Sequence, residues 1–206
     1  MTHVTVVRLQ DGARAALAEH FSALPPEDRR LRFGYSLAKE AIFAYVDGID
    51  FDRDAVFGVH DDRMSLVGVA HAAFDERHAE LGISVLPEHR RCGIGGALFE
   101  RAAEHARNRF VSRLFMHCLS ENEAIMHIAR RAGMDIVVEA GDADAHLQLP
   151  PASPESITGE YVADRLALYD FALKAQVAAW NRLNAALADG TAGATPGCEP
   201  HPRSPS

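Results

Sequence analysis

The segment Glu80–Phe99 restricts this chain more than any other. A strand over Glu80–Leu86 must stop at Pro87, because proline has no N–H to give to a ladder. Arg90-Arg91-Cys92-Gly93-Ile94-Gly95-Gly96 then turns directly into a helix over Ile94–Arg109, with Phe99, Ala103, Ala106 and Phe110 repeating along one side. The first N–H groups of a helix lack internal partners, and its dipole puts partial positive charge there. Gly93, Gly95 and Gly96 remove side chains that would block close approach to the backbone. The product is an anion cradle of diphosphate size, to which Arg90 and Arg91 add charge-assisted contacts. The pattern is not a phosphate loop of the G-x-x-x-x-G-K-[ST] type, since no lysine follows the glycines. Nor is it a dinucleotide fingerprint, because Gly93-Ile94-Gly95 continues as Gly96-Ala97-Leu98 in mid-chain.

The string Glu80-x-Gly82-x-x-Val85-x-Pro87-x-x-Arg90-x-x-Gly93-Ile94-Gly95-x-x-Leu98 resembles the pyrophosphate motif, with its preceding strand, of the GNAT superfamily of N-acetyltransferases. Ser120-x-Asn122 and Ala132-Gly133-Met134 are similar to that family's later helix and its ending, and Leu24–Phe33 looks like its acceptor-side helices. The resemblance runs from Val4 to Leu149. It implies an α/β (α+β) fold: a mixed, mostly antiparallel twisted sheet flanked by helices. It also implies acetyl-CoA as cosubstrate, held by Val85, Leu86, Arg90, Arg91, Cys92, Gly93, Ile94, Gly95, Gly96 and Asn122. A primary amine then attacks the thioester directly in a ternary complex. A base removes the amine proton, and an N–H of Val85 or a neighbour on the splayed fourth strand meets the oxyanion.

Glu80 sits where many relatives carry a glutamate and is the candidate base; His71 and His117 are its rivals, since histidine titrates near working pH. The tyrosine that many relatives place seven residues after the motif asparagine is Ala129 here, so no general acid is identified and solvent is left to protonate the thiolate. A domain that binds acetyl-CoA without transferring the acetyl group is therefore the alternative reading. Cys92 has no neighbouring base to make it a nucleophile, and Cys118 reads as core. The acceptor is a primary amine, on a protein lysine or a small molecule; acceptor identity and acyl-chain length are not specified.

With 21 basic against 29 acidic residues and a net charge of −8, the 206-residue chain offers no broad nucleic-acid surface. The three cysteines have neither disulfide nor zinc spacing, and no metal site is expected. No stretch approaches the roughly 20 apolar residues that span a bilayer, so a soluble, cytoplasmic protein off the membrane is expected. Residues 1–150 read as the catalytic domain. The order is a strand over His3–Leu9, helices over 13–24 and 26–33, and a third over 38–46 capped by Ser36. Strands follow over 55–59, 65–74, 80–86, 113–119, 135–139 and 145–149, with helices over 94–109 and 123–131. Residues 151–188 read as an appended long helix striped by Val162, Leu166, Tyr169, Leu173, Val177, Trp180, Leu183 and Leu187, and 189–206 as an unstructured tail. A helix that long overruns a small domain, which leaves Trp180, Leu183 and Leu187 as a candidate homodimer surface unless the helix folds back.

Overall fold

Antiparallel pairing builds the first half of the sheet. In the computed structural model, which describes residues 4–35 and 37–192, β1 (Val7–Leu9) pairs with β2 (Ala55–His60), β2 with β3 (Leu66–Asp75), and β3 with β4 (His78–Val85). The other strands are β5 (Arg113–Leu119), β6 (Asp135–Glu139) and β7 (Asp142–Gln148), and the seven lie in the order β1-β2-β3-β4-β5-β7-β6. Only β4 and β5 run parallel among the described residues, so the chain must leave the sheet between them. It does so through α4 (Ile94–Asn108), the helix that the glycine loop starts.

Helices cover both faces. On one, α1 (Arg14–Ala23) and α3 (Lys39–Asp47) bury Leu17, Phe21, Ile42 and Val46 against Val7, Leu9, Val56 and Val69. On the other, α4 and α5 (Glu123–Arg131) bury Leu98, Phe99, Ala102, Ile125 and Ala129 against Phe57, Ala70, Leu81 and Ile83. Leu17, Leu98 and Leu114 are wholly inaccessible, so truncating any of them to alanine should cost about 2–5 kcal/mol. Between them, α2 (Pro26–Phe33) touches β4 and β5. Proline at its start and Glu27 and Asp28 in its first turn suit the positive end of the dipole. Gly34, at φ +80°, ends it. Asn122 caps α5 by accepting from the Ile125 N–H at 3.2 Å, and Gly133 at φ +70° closes it, with the Met134 N–H reaching back to the Ala129 carbonyl.

α6 (Pro154–Ala192) is a single helix of 39 residues laid along α4 and β1. Glu160 anchors it, receiving hydrogen bonds from Arg101 (3.2 Å) and Asn108 (2.6 Å) and lying 2.6 Å from His105 Nδ1. No described helix is long and apolar enough to cross a membrane.

Several expected boundaries move. The first strand contracts to Val7–Leu9, the last begins at Asp142, and α6 continues past residue 188. Phe110 leaves the α4 stripe: the helix ends before it, it takes φ +64°, and its ring is 75% exposed. Val111 turns inward instead, its N–H on the Ala106 carbonyl, while Arg101 and His105 are buried on α4 because Glu160 meets them there. β5 buries only one of its faces, Leu114, Met116 and Cys118. Residue 3, the expected cap Ser36 and residues 193–206 of the expected tail, with Cys198, lie outside the described residues.

Candidate active site

The sheet opens between β4 and β5. Their register holds only from His78–Glu80 to Arg113–Phe115, although β4 stays paired with β3 as far as Val85 and β5 stays paired with β7 throughout. Leu81–Val85 therefore has a strand on one side alone. The Leu86 N–H bonds the Val67 carbonyl, so by strand alternation the backbone groups of Ser84 and Gly82 point to β3 while those of Ile83 and Val85 point into the gap. The Val85 carbonyl agrees with this phase, since it accepts from Arg90 Nε at 3.1 Å.

The N-terminus of α4 stands at the mouth of the gap. Gly93 is its N-cap at φ +84° with no side-chain cap, and Arg91 before it is also left-handed at φ +62°. The Ala97 N–H closes the first turn on Gly93, which leaves the N–H groups of Ile94, Gly95 and Gly96 without intrahelical partners. The three glycines serve different ends. Gly93 is needed for its left-handed backbone in open space, and Gly96 also faces open space. An added Cβ at Gly95 would come within 2.9 Å of Ile128 Cδ1, so that glycine lets α5 pack close. Cys92 is exposed.

Three ties bind this mouth to α2. Arg90 pairs with Asp28 at 2.7 Å, Arg30 with Glu121 at 2.6 Å, and Asn122 Nδ2 donates to the Leu31 carbonyl at 3.3 Å. Asn122 thus spends its amide oxygen on capping and its amide nitrogen on α2.

Glu80, His71 and His117 all project from the sheet face that carries α1–α3, because Glu80 and Gly82 alternate with the buried Leu81 and Ile83, His71 pairs with Gly82, and Phe115 pairs with Glu80. An open groove of about 580 Å³ lies there, lined by Asp75, His78, Glu80, Phe115, His117 and Asp144. His71 stands outside it. His117 Nδ1 lies 2.7 Å from Asp144, and that hydrogen bond outweighs partial burial to raise the imidazole pKa. For His71 burial and then the Arg32 charge lower the pKa, although Asp54 opposes them. His117 is accordingly biased towards the cation and His71 towards the neutral ring.

His71 belongs to a chain of groups that sequence reading did not find. Its Nε2 lies 3.2 Å from buried Asp54, its Nδ1 lies 2.7 Å from the Tyr45 hydroxyl, and that oxygen accepts from Arg32 Nη2 at 3.1 Å. A carboxylate only accepts, so Nε2–H donates to Asp54, and Tyr45 O–H then donates to Nδ1. The Arg32 guanidinium lies over the rings of Phe33 and Tyr45 and directly on Gly82, where any side chain would collide with it. His20 is a further buried histidine, between Ser84 Oγ (2.8 Å) and the Leu66 carbonyl (2.9 Å), and burial lowers its pKa to about 4. Ala129 is fully buried and His127 exposed, so neither offers a proton to the gap. No group of three or more potential metal ligands occurs among the described residues.

A mixed sheet parted between β4 and β5 beside the N-terminus of α4 is an α/β architecture whose family comes from comparison with known proteins. Residues 14–134 match the acetyltransferase (GNAT) family, well over half of the chain, and the protein belongs to that family. Over 76 residues it is 33% identical to the streptothricin acetyltransferase of Streptomyces lavendulae, a match spanning 37% of this chain and 40% of that protein. The fold is similar to the GNAT domain of S. lividans PAT (TM-score 0.61, 18% identity, 70% of this chain and 89% of that one). It is also similar to a putative acetyltransferase from Salmonella typhimurium solved with its cofactor acetyl-CoA (TM-score 0.56, 17% identity, 74% and 97%).

Proposed function

We propose that this protein transfers the acetyl group of acetyl-CoA to a primary amine by direct attack. The observation that carries the reading is the β4–β5 gap with the unpartnered N–H groups of α4 at its mouth. Acetyl-CoA supplies the activated thioester. The N–H groups of Ile94, Gly95 and Gly96, with Arg91 beside them, hold its diphosphate. The gap-facing backbone of Ile83 and Val85 pairs with its arm as another strand would, and the Val85 N–H or a neighbour polarises the thioester carbonyl. Arg90 positions the loop through Asp28 rather than facing the coenzyme.

The amine enters from the groove. Its carboxylates, Asp75, Glu80 and Asp144, attract the ammonium form, and Glu80 takes the proton, directly or through a water, so that the lone pair is free to attack. The C–N bond forms, the attacking nitrogen gives its second proton to water, the C–S bond breaks, and the thiolate leaves to be protonated by solvent; a thiol pKa of about 8.5 makes it a competent leaving group. Of the two histidine rivals, His117 is held towards its charged form by Asp144, and both His71 nitrogens are already engaged. The acceptor is a small-molecule amine or a protein lysine, and the name of the S. lavendulae relative favours the former. The buried Ala129 supports the second reading, coenzyme binding without turnover. Calorimetry with acetyl-CoA and thiol release with a panel of amines separate the two: binding with release supports transfer, binding alone supports the module, and neither overturns both.

A further inference from the structure

α6 carries two seams on opposite faces, and only one of them is occupied. Glu160, Asp164, Ala167, Phe171 and Ala178 face the domain: the first two meet Arg101, Phe171 packs its ring 4.9 Å from His60, and Ala178 is 4% exposed. On the far side Val162, Leu166, Tyr169, Leu173, Trp180, Leu183 and Leu187 are each between 45% and 66% exposed. These outer residues follow the alternating four-and-three spacing of a heptad, with Val162, Tyr169, Gln176 and Leu183 at d and Leu166, Leu173, Trp180 and Leu187 at a. A strict heptad is not what covering a sheet or a globular core demands; it is the spacing that meets another helix knob into hole.

The outer seam is complementary to itself when reversed. Laid antiparallel about its midpoint, it sets an a residue against a d residue in every layer: Val162 on Leu187, Leu166 on Leu183, Tyr169 on Trp180, and Leu173 on Gln176. The one polar member, Gln176, then falls in the two layers beside the two-fold axis, where it fixes register. Flanking positions meet without like charges, with Arg165 facing Ala186, Ala172 facing Ala179, and Ala163 facing Asn184. The alanines there let two helices approach closely. Covering seven side chains this exposed on each copy removes on the order of 1,400 Å² in total, the size of an ordinary stable interface.

We infer that α6 pairs with α6 of a second copy of this chain as an antiparallel two-helix coiled coil along Val162–Leu187, giving a two-fold dimer with the acetyltransferase domains on its outer sides. Sedimentation of the full chain at micromolar concentration reads the dimer directly. Leu166→Glu with Leu173→Glu places charge at positions already exposed in the single chain, so the fold, checked by far-UV circular dichroism and the unfolding midpoint, is kept while the mass halves. Orientation is read in a background with Cys92 and Cys198 replaced by serine: Leu166→Cys chains crosslink to Leu183→Cys chains on mixing, and neither crosslinks to itself. A monomeric full chain, a glutamate variant that stays dimeric, or a Leu166→Cys variant that crosslinks to its own kind overturns the proposal.

Discussion

Glu160 offers a quantitative test of how α6 is held to the domain. Burial alone would raise its pKa, but hydrogen bonds from His105 and Asn108, together with the charges of His105 and Arg101, outweigh it and pull the value from 4.5 to about 2. Its side chain is only 11% exposed, so little of that gain is lost to solvent. That depression is worth about 3 kcal/mol of folding free energy at neutral pH. The folded-state pKa is depressed, so this stability is present above about pH 4.5 and is progressively lost as pH falls towards 2. Glu160→Gln keeps the shape and cannot ionise. Urea unfolding of both proteins between pH 7 and pH 3 should show a gap of about 3 kcal/mol that narrows with acid. Arg101 retains Asp164 at 2.5 Å in the variant, which limits the penalty for an unpaired cation. A gap below about 0.5 kcal/mol at pH 7, the range of ordinary surface changes, refutes the reasoning, and so does a gap that ignores pH.

The remaining predictions concern the site. Glu80→Gln should lower turnover roughly a hundredfold with coenzyme affinity unchanged, and a variant that keeps its rate and pH profile would make Glu80 a bystander. Gly95→Asp adds like charge beside the diphosphate and pushes on Ile128. It should weaken acetyl-CoA binding at least tenfold, about 1.4 kcal/mol, by calorimetry on folded protein; unchanged affinity would make the loop purely structural. Tyr45→Phe removes the hydroxyl between Arg32 and His71 and should cost about 1–3 kcal/mol of stability in denaturant, whereas an unchanged midpoint would show that water replaces it.

What could be read from the sequence was local. Pro87 ending a strand, Gly93 opening α4, Pro26 opening α2 and Gly133 closing α5 each act through neighbours a few residues away, and those elements fall where expected. Phe110 misled because its helical spacing is genuine, yet the helix ends two residues before it at Asn108, and periodicity carries no information about that. Asp54, His71, Tyr45 and Arg32 come from separate elements and meet only after the sheet pairs and α2 and α3 settle on it. Nothing in the spacing of those four announces the contact. Gly95 was legible as a glycine but not for the reason the structure shows: Ile128 is 33 positions away and reaches it only through the packing of α5 on α4.

β4 and α2 physically connect the loop that opens α4 to the groove lined by Glu80. Its odd residues, Ala79, Leu81 and Ile83, sink into the core under α4, and its even residues, Glu80, Gly82 and Ser84, form the floor opposite. Its backbone edge beyond Glu80 faces the gap. Arg32 of α2 rests on Gly82 and grips Tyr45, while Asp28 of the same helix grips Arg90 of the loop that opens α4. Asp28 and Arg32 are four residues apart, one helical turn, so they lie on the same side of α2. A displacement of α2 that moves Asp28, and with it Arg90 and the loop, therefore also shifts the guanidinium lying on Gly82, two residues from Glu80. The link needs no long pathway: it is one short helix touching the same strand and the same loop.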